Sequence, residues 1–404
     1  MVRAVNIDDL EAQARRRLPR MVYDFVAGGA EDEVTLRANR AAFVSTPLRP
    51  SAFVGVAARD AAVTVLGTPM SMPLALGPAG LARLVHRDAE LAVARAAGAA
   101  GIPLCLSIAS SFTIEEVARV ASGPLWFQLY IWQDRELVTR IVRRAQAADY
   151  SVLVLTMDVP LVGRRERDLR NGFQAPPRLS LGNAFDVARR GRWLYTFVRG
   201  RPITFQNLVG ETSAAARGES AGAMSEYINA TLAAPGATWE TVRWLRELWP
   251  GRLVAKGLMT AEDALRAQEI GLDGVIVSNH GGRQLDGFPA TLDVLPLIVD
   301  AVGDRIEVLI DGGVRRGTDI LKALALGARA CLVARPWWWG LATGGETGVT
   351  GMIEMLRAEL DTAQGLAGLP SIAGASTEER ARVIFHPDEL TARPPRLVQE
   401  GPWR

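Results

Sequence analysis

The sequence predicts a (β/α)8 TIM barrel with an N-terminal helical cap and a long insertion after the fourth strand. Two observations carry this. Short, near-continuous apolar runs recur along the chain, as strands buried on both faces of a parallel sheet require. All but one lead through a polar or glycine-containing turn directly into an amphipathic helical pattern. Eight such units in a chain of 404 residues fit one closed barrel. A doubly wound open sheet is the alternative that the same rhythm allows.

The strands read at Leu74–Leu76, Leu104–Ser107, Trp126–Gln128, Val152–Thr156, Leu253–Lys256, Gly274–Ser278, Val308–Asp311 and Cys331–Ala334. Stretches such as DAELAVARAAGAAG, TIEEVARVAS, RELVTRIVRRAQAADY, TAEDALRAQEIG and RGTDILKALALGA supply the helices between them. The gap between the fourth and fifth strands is far longer than the others. Its part from Gly172 to Ala237 is rich in Pro, Gly, Ser and Ala, which marks an insertion rather than a ninth unit. Residues 1–60 form a helical cap before the barrel, residues 365–404 an irregular tail, and the whole of 1–404 a single domain.

Hydrophobic residues make up 49% of the chain, enough to bury a sizeable core, and the net charge of +2 gives no electrostatic case for nucleic acid. Cys105 and Cys331 each lie in an apolar run, as buried free thiols do. No close Cys/His grouping suggests a metal. The N-terminus, MVRAVNIDDLEAQARRRLPR, is too polar for a secretory signal, and no uncharged apolar run of ~18 residues is present. These features predict a soluble cytoplasmic protein, with one local exception described below.

Active-site residues of such a barrel sit at the C-terminal ends of the strands. Those ends carry Ser107, Gln128 with Tyr130, Thr156 with Asp158, Lys256, Ser278 with His280 and Arg283, then Asp311 and Arg335. So many polar groups on one rim are costly unless they converge on a ligand. VLIDGGVRRGTDI adds Gly312 and Gly313, whose bare backbone suits an anion, with Arg315 close behind and Arg335 on the next strand. The lesser alternative is that DGG is an ordinary turn and RR a solvated pair.

SNHGGRQLDG resembles the signature of the FMN-dependent 2-hydroxy-acid oxidase and dehydrogenase family, which includes glycolate oxidase and the lactate and mandelate dehydrogenases. MVYDFVAGGAEDE, FQLY, LTMDVPLVGRRERDLRN, VAKG and IDGGVRRGTDILKALALGA extend the likeness, in order, over nearly the whole chain. RRRLPRMVYDFVAGGAEDE and TWETVRWLRELWP are most similar to the mandelate and lactate dehydrogenase branch. The resemblance implies FMN, a 2-hydroxy-acid substrate and a homotetramer. It implies His280 as general base, Asp158 as its partner and Tyr130 on the substrate hydroxyl. Arg283, Tyr23 and Arg165 would bind the carboxylate. Lys256 would sit by the negative charge of reduced flavin. Pro78, Ala79, Gly80, Ser107, Gln128, Thr156, Ser278, Asp311, Gly312, Gly313, Arg315, Ala334 and Arg335 would contact the cofactor. The chemistry agrees independently: an imidazole beside a carboxylate can take a proton, and a guanidinium grips a carboxylate through two parallel bonds. No GxGxxG follows a first strand, against a nicotinamide cofactor.

Pro78-Ala79-Gly80 and Ala334-Arg335 depart from the family's usual Pro-Thr-Ala/Gly and Gly-Arg. Gly80 is consistent with room beside the flavin and with a dehydrogenase that passes electrons to a quinone. An oxidase using O2 is the alternative, and an FMN-dependent isomerase or a non-catalytic flavoprotein is more remote. NAFDVARRGRWLYTFVRGRPITFQNL, residues 183–208, interleaves arginines with aromatics, as a peripheral membrane segment does. The other reading of that segment is packing on the barrel or at a subunit contact.

Overall fold

The expected strands close on themselves. The computed structural model describes residues 4–132, 134–173, 181–209 and 236–385. A hairpin, β1 (Val63–Val65) and β2 (Thr68–Met70), precedes the barrel strands. These are β3 (Leu74–Leu76), β4 (Leu104–Ser107), β5 (Leu125–Tyr130), β6 (Val152–Thr156), β7 (Arg252–Leu258), β8 (Gly274–Val277), β9 (Glu307–Ile310) and β10 (Cys331–Val333). They form a closed parallel TIM barrel in chain order, with β10 returning to β3. β3, β4 and β6 have the expected bounds; β5 and β7 are longer, β8 and β10 end one residue earlier, and β9 is shifted one residue toward the N-terminus.

The barrel interior changes character along its axis because side chains alternate between faces of a strand. Cys105, Trp126, Val154, Val254, Ile276 and Leu309 belong to one buried apolar cluster inside the barrel. Two residues further on, the same inward parity gives Ser107, Gln128, Thr156, Lys256, Ser278 and Asp311. The β1–β2 hairpin closes the opposite end: Val65, Leu66 and Met70 join the apolar cluster, and Trp126 Nε1 donates to Thr68 Oγ1 at 3.1 Å. The sequence reading missed this hairpin because its strands are three residues each, one with a proline.

The outer helices form as their patterns require. Helix Arg135–Ala147 starts where the Asp134 side chain accepts from Leu137 N, and it buries Leu137, Val138, Ile141, Val142 and Ala145 along one stripe. Replacing the fully buried Ile141 by Ala would cost roughly 2–5 kcal/mol.

The N-terminal cap is helical at Ile7–Arg17, Arg20–Ala27 and Val34–Ser45, not throughout residues 1–60. It docks over the polar end of the barrel, where Ala30 N donates to Gly282 O at 2.8 Å and Asn39 and Asn279 exchange bonds of 2.8 and 2.9 Å. The last long helix, Arg335–Ala367, runs past the expected start of the tail, and Thr377–Ala381 adds another helix; residues 386–404 lie outside the described residues. Within the insertion, Leu181–Arg189 and Gly191–Val198 are helices, whereas 174–180 and 210–235 lie outside the described residues.

The insertion's aromatics divide between the two readings. Trp193 and Phe205 are buried; Trp193 Nε1 donates to Leu84 O at 2.7 Å, and its ring stacks on Phe197 at 4.6 Å. Phe185 and Tyr195 face outward, with the Arg189 and Arg199 guanidiniums over their rings. Among the described residues no helix is long and apolar enough to cross a membrane, and no group of side chains could hold a metal ion. Both cysteines are free and buried, and burial pushes both thiols up.

Candidate active site

A cavity of about 1090 Å³ opens at the polar end of the barrel. Its floor is formed by Ser107, Gln128, Thr156, Lys256 and Asp311 of the inward polar layer, with Ser278 fully buried and outside the lining. Ser107 Oγ donates to Gln128 Oε1 at 2.9 Å, and Gln128 Nε2 donates to Thr156 Oγ1 at 2.9 Å. Lys256 Nζ lies 2.8 Å from both Ser278 Oγ and Asp311 Oδ2. Burial alone would lower the Lys256 ammonium's proton affinity, but Asp311 and Asp158 outweigh it and raise it. A fixed positive charge therefore stands at the cavity floor.

His280 follows β8 in the left-handed region (φ 57°), with Gly281 (φ 66°) and Gly282 (φ 75°) continuing that turn. Three consecutive left-handed residues are costly for side-chain-bearing positions, and the two glycines relieve two of them. The His280 backbone N donates to Ser278 Oγ at 3.1 Å. Its Nδ1 lies 3.1 and 3.2 Å from the two Asp158 oxygens. Burial lowers the imidazole's proton affinity, against the pull of Asp158. Asp158 is itself held below its ordinary value: its burial is outweighed by His280. With Asp158 ionised, Nδ1 carries the proton and Nε2 is left to accept one.

Arginines line the same cavity. Arg283 Nη1 donates to Phe25 O at 2.7 Å and Gly28 O at 2.9 Å, so two cap carbonyls orient its guanidinium. Arg165 reaches the same cavity, and its Nε is buried without a partner among the described residues. Burial and mutual repulsion depress the proton affinity of Arg283. Tyr130, part-buried at the same cavity, has its phenol pushed up by loss of solvent and then by Asp158. Such a cluster of donors is matched by an anion.

Tyr23 does not join this group. Its hydroxyl donates to Glu11 Oε1 at 2.9 Å, and its ring stacks on Trp339 at 5.5 Å. Phe25 lines the cavity instead, beneath the Arg283 guanidinium at 5.2 Å. Both lie on helix Arg20–Ala27, where two residues turn the side chain by about 200°, so a two-residue offset reverses the face. Carboxylate contact from Tyr23 is therefore corrected. Phe25 stacks on Phe173 at 4.5 Å and meets Trp338 edge-on at 6.2 Å, forming an aromatic wall. Sequence reasoning missed this wall because it searched for polar groups; the apolar face of MVYDFVA was its only signal.

At the far end, Asp311, Gly312, Gly313, Arg315, Ala334 and Arg335 all line the cavity. Gly312 (φ 90°) and Gly313 (φ 101°) are left-handed, and a Cβ on Gly313 would stand 2.3 Å from Asn39 O. Arg315 Nη1 donates to Val314 O at 2.8 Å. Arg335 donates to Val26 O, Gly281 O and Gly28 O, tying the cap to the rim. Burial lowers the Arg315 and Arg335 guanidiniums to about 10 and about 9. Pro78, Ala79 and Gly80 also line the cavity, but Gly80 does not leave room there. A Cβ on it would lie 2.6 Å from Ala109 Cβ, so this glycine allows two loops to touch.

The residues fit flavin mononucleotide. The polar floor supplies donors and acceptors for a ring edge, and Asp311 Oδ1 is buried without a partner among the described residues. The glycine cradle, Arg315 and the start of helix Arg335–Ala367 offer positive charge and N–H groups for a phosphate. The volume accommodates the cofactor together with a small acid.

Comparison with known proteins agrees with this geometry. A family model described as FMN-dependent dehydrogenase matches residues 14–381. An L-lactate oxidase of Nostoc sp. is 44% identical over 377 residues, covering 92% of this chain and 97% of the relative. An (S)-mandelate dehydrogenase of Pseudomonas putida is 43% identical over 373 residues, covering 92% and 93%. The crystal structure of the monotopic membrane protein (S)-mandelate dehydrogenase superposes with a TM-score of 0.88 at 43% identity, covering 93% of this chain and 98% of that one.

Proposed function

The chain belongs to the FMN-dependent dehydrogenase family, and on that premise we propose that it oxidises an (S)-2-hydroxy acid with an aryl or bulky side chain to the 2-keto acid. The observation that carries this reading is one cavity holding a histidine–carboxylate pair, converging guanidiniums and an aromatic wall.

When bound, FMN supplies the acceptor for two electrons. The residues proposed to hold it are Pro78, Ala79, Gly80, Ser107, Gln128, Thr156, Lys256, Ser278 and Asp311 around the ring and ribityl chain, with Gly312, Gly313, Arg315, Ala334 and Arg335 toward the phosphate. Arg283 and Arg165 bind the substrate carboxylate, the first pre-oriented by the Phe25 and Gly28 carbonyls. Tyr130 bonds the substrate hydroxyl. His280 Nε2 accepts the substrate proton, in either order of bond breaking, and Asp158 stabilises the imidazolium that results. Lys256 favours negative charge at the cavity floor. Phe25, Phe173 and Trp338 exclude water and give an aryl group a stacking surface.

For the acceptor we favour a quinone reached through peripheral membrane contact of residues 183–208. The outward Phe185 and Tyr195 with their arginines support it, as does the likeness to a monotopic membrane protein. Transfer to O2 is the second reading, favoured by the 44% identity to an oxidase. Specificity constants for mandelate, lactate and glycolate, each with a soluble quinone and with O2, test both. Mandelate with quinone should lead. Glycolate above mandelate would overturn the substrate reading, and air reoxidation at the rate of full turnover would overturn the acceptor reading.

A further inference from the structure

Four of the polar residues at the site come from two loops. The loop after β6 carries Asp158 and Arg165, and the loop after β8 carries His280 and Arg283. Asp158 meets His280 only while the two loops keep their register.

The first loop has little apolar burial to hold it. None of residues 157–165 is wholly buried, and Leu161 and Val162 face outward, 68% and 45% exposed. Its ends are tied through the backbone: Met157 N donates to Lys256 O at 2.8 Å, and Arg164 O accepts from Glu31 N at 2.9 Å. Between those ends it is fastened by Gln284.

Gln284 is buried, and both of its amide hydrogens are used. Nε2 donates to Asp158 O at 2.8 Å and to Leu161 O at 2.9 Å, while Oε1 accepts from Gly163 N at 3.3 Å. The two backbones also touch directly, since a Cβ on Gly163 would collide with the carbonyls of Arg283 and Gln284. One carbonyl that Gln284 holds is that of Asp158, whose side chain lies 3.1 Å from His280 Nδ1. Gln284 thus fixes the backbone that aims this carboxylate. Gln284 itself lies outside the cavity lining. Placement matters at this scale, because a shift of about 1 Å in a reacting geometry can cost about 10²-fold in rate.

We propose that Gln284 is a positioning residue, which clips the loop after β6 to the loop after β8 and so keeps the Asp158 carboxylate on His280. The inference rests on the role proposed above for that pair and adds a residue that acts through it.

The test compares wild-type holoenzyme with two variants. Gln284→Met keeps the side-chain length and loses all three bonds. Gln284→Glu keeps the acceptor for Gly163 N, loses both donations, and stands in if the methionine variant does not fold. Each should retain FMN, and anaerobic bleaching by (S)-mandelate and by L-lactate should slow by about tenfold to 10²-fold. Added to Asp158→Ala, Gln284→Met should cost less than about twofold more, because the carboxylate it aims is gone.

A second readout needs no turnover: the titration of His280, followed by NMR in holoenzyme labelled with carbon-13 histidine and assigned with His280→Gln. Burial lowers the His280 proton affinity, Asp158 raises it, and Lys256 and Arg165 lower it. With Asp158 displaced, His280 in Gln284→Met should titrate at lower pH than in the wild type. A variant that is only loosened admits water and titrates higher, nearer 6.5. A titration that stays or rises would overturn the proposal, as would bleaching at the wild-type rate or losses that multiply in the double variant. If neither acid bleaches the wild type, or Asp158→Ala bleaches as fast as the wild type, the catalytic reading fails instead, and the titration alone decides whether Gln284 holds Asp158.

Discussion

At the residue scale, the proposed chemistry rests on a histidine that must be neutral to act. Burial lowers the His280 proton affinity below its ordinary 6.5, and a base is lost when it is protonated, so activity falls as pH drops through that lowered value. The acid limb of kcat/KM should therefore lie below pH 6.5, and a limb centred above about 7 would contradict the assigned environment. Phe25 is proposed to set substrate preference. Phe25→Ala should lower the preference for mandelate over lactate by about tenfold or more, the scale of apolar pocket discrimination; steady-state ratios that do not move would remove it from that role. The polar floor was legible because alternation along each strand projects Ser107, Gln128, Thr156, Lys256, Ser278 and Asp311 to one side. Tyr23 was misread because helical rotation, which a motif does not display, decides which of two nearby aromatics faces the cavity.

At the element scale, Glu90 shows how the helix Ala89–Ala99 is tied to the site. Its carboxylate accepts from Ala82 N at 3.3 Å and Ser111 N at 3.0 Å, joining the loops that follow β3 and β4, while Oε2 is buried without a partner among the described residues. Burial raises this carboxyl from 4.5 to about 7. A carboxyl raised in the folded state contributes stability that is present below 4.5 and lost as pH rises through about 7. Glu90→Gln, which does not titrate, should gain melting temperature relative to the wild type between pH 5 and pH 8. A constant difference across that range would show that Glu90 is not the titrating group. Barrel strands were legible because burial on both faces leaves continuous apolar runs; the β1–β2 hairpin was not, since a three-residue strand shows no period. The insertion escaped a single reading for a related reason: its aromatics serve both the barrel and the outer surface, and composition does not separate Trp193 from Tyr195.

At the scale of the whole molecule, the barrel sets an apolar interior below a polar rim, and the N-terminal cap closes over that rim through Arg283, Arg335 and the Asn39–Asn279 pair. Residues from segments distant in sequence, among them Phe25, Lys256, His280 and Arg335, are thereby brought to one cavity. The ends of the chain were less legible: the cap stops being helical at Ser45, and the final helix persists to Ala367, because packing on the barrel rather than local pattern decides both limits. The central claim is that His280 takes the substrate proton. Anaerobic mixing of holoenzyme with (S)-mandelate, following loss of oxidised flavin absorbance, tests it most directly against His280→Gln. The variant should retain FMN and bleach slower by about 10²–10⁴-fold, the contribution of a positioned base. A variant that retains FMN and bleaches at nearly the wild-type rate would contradict it.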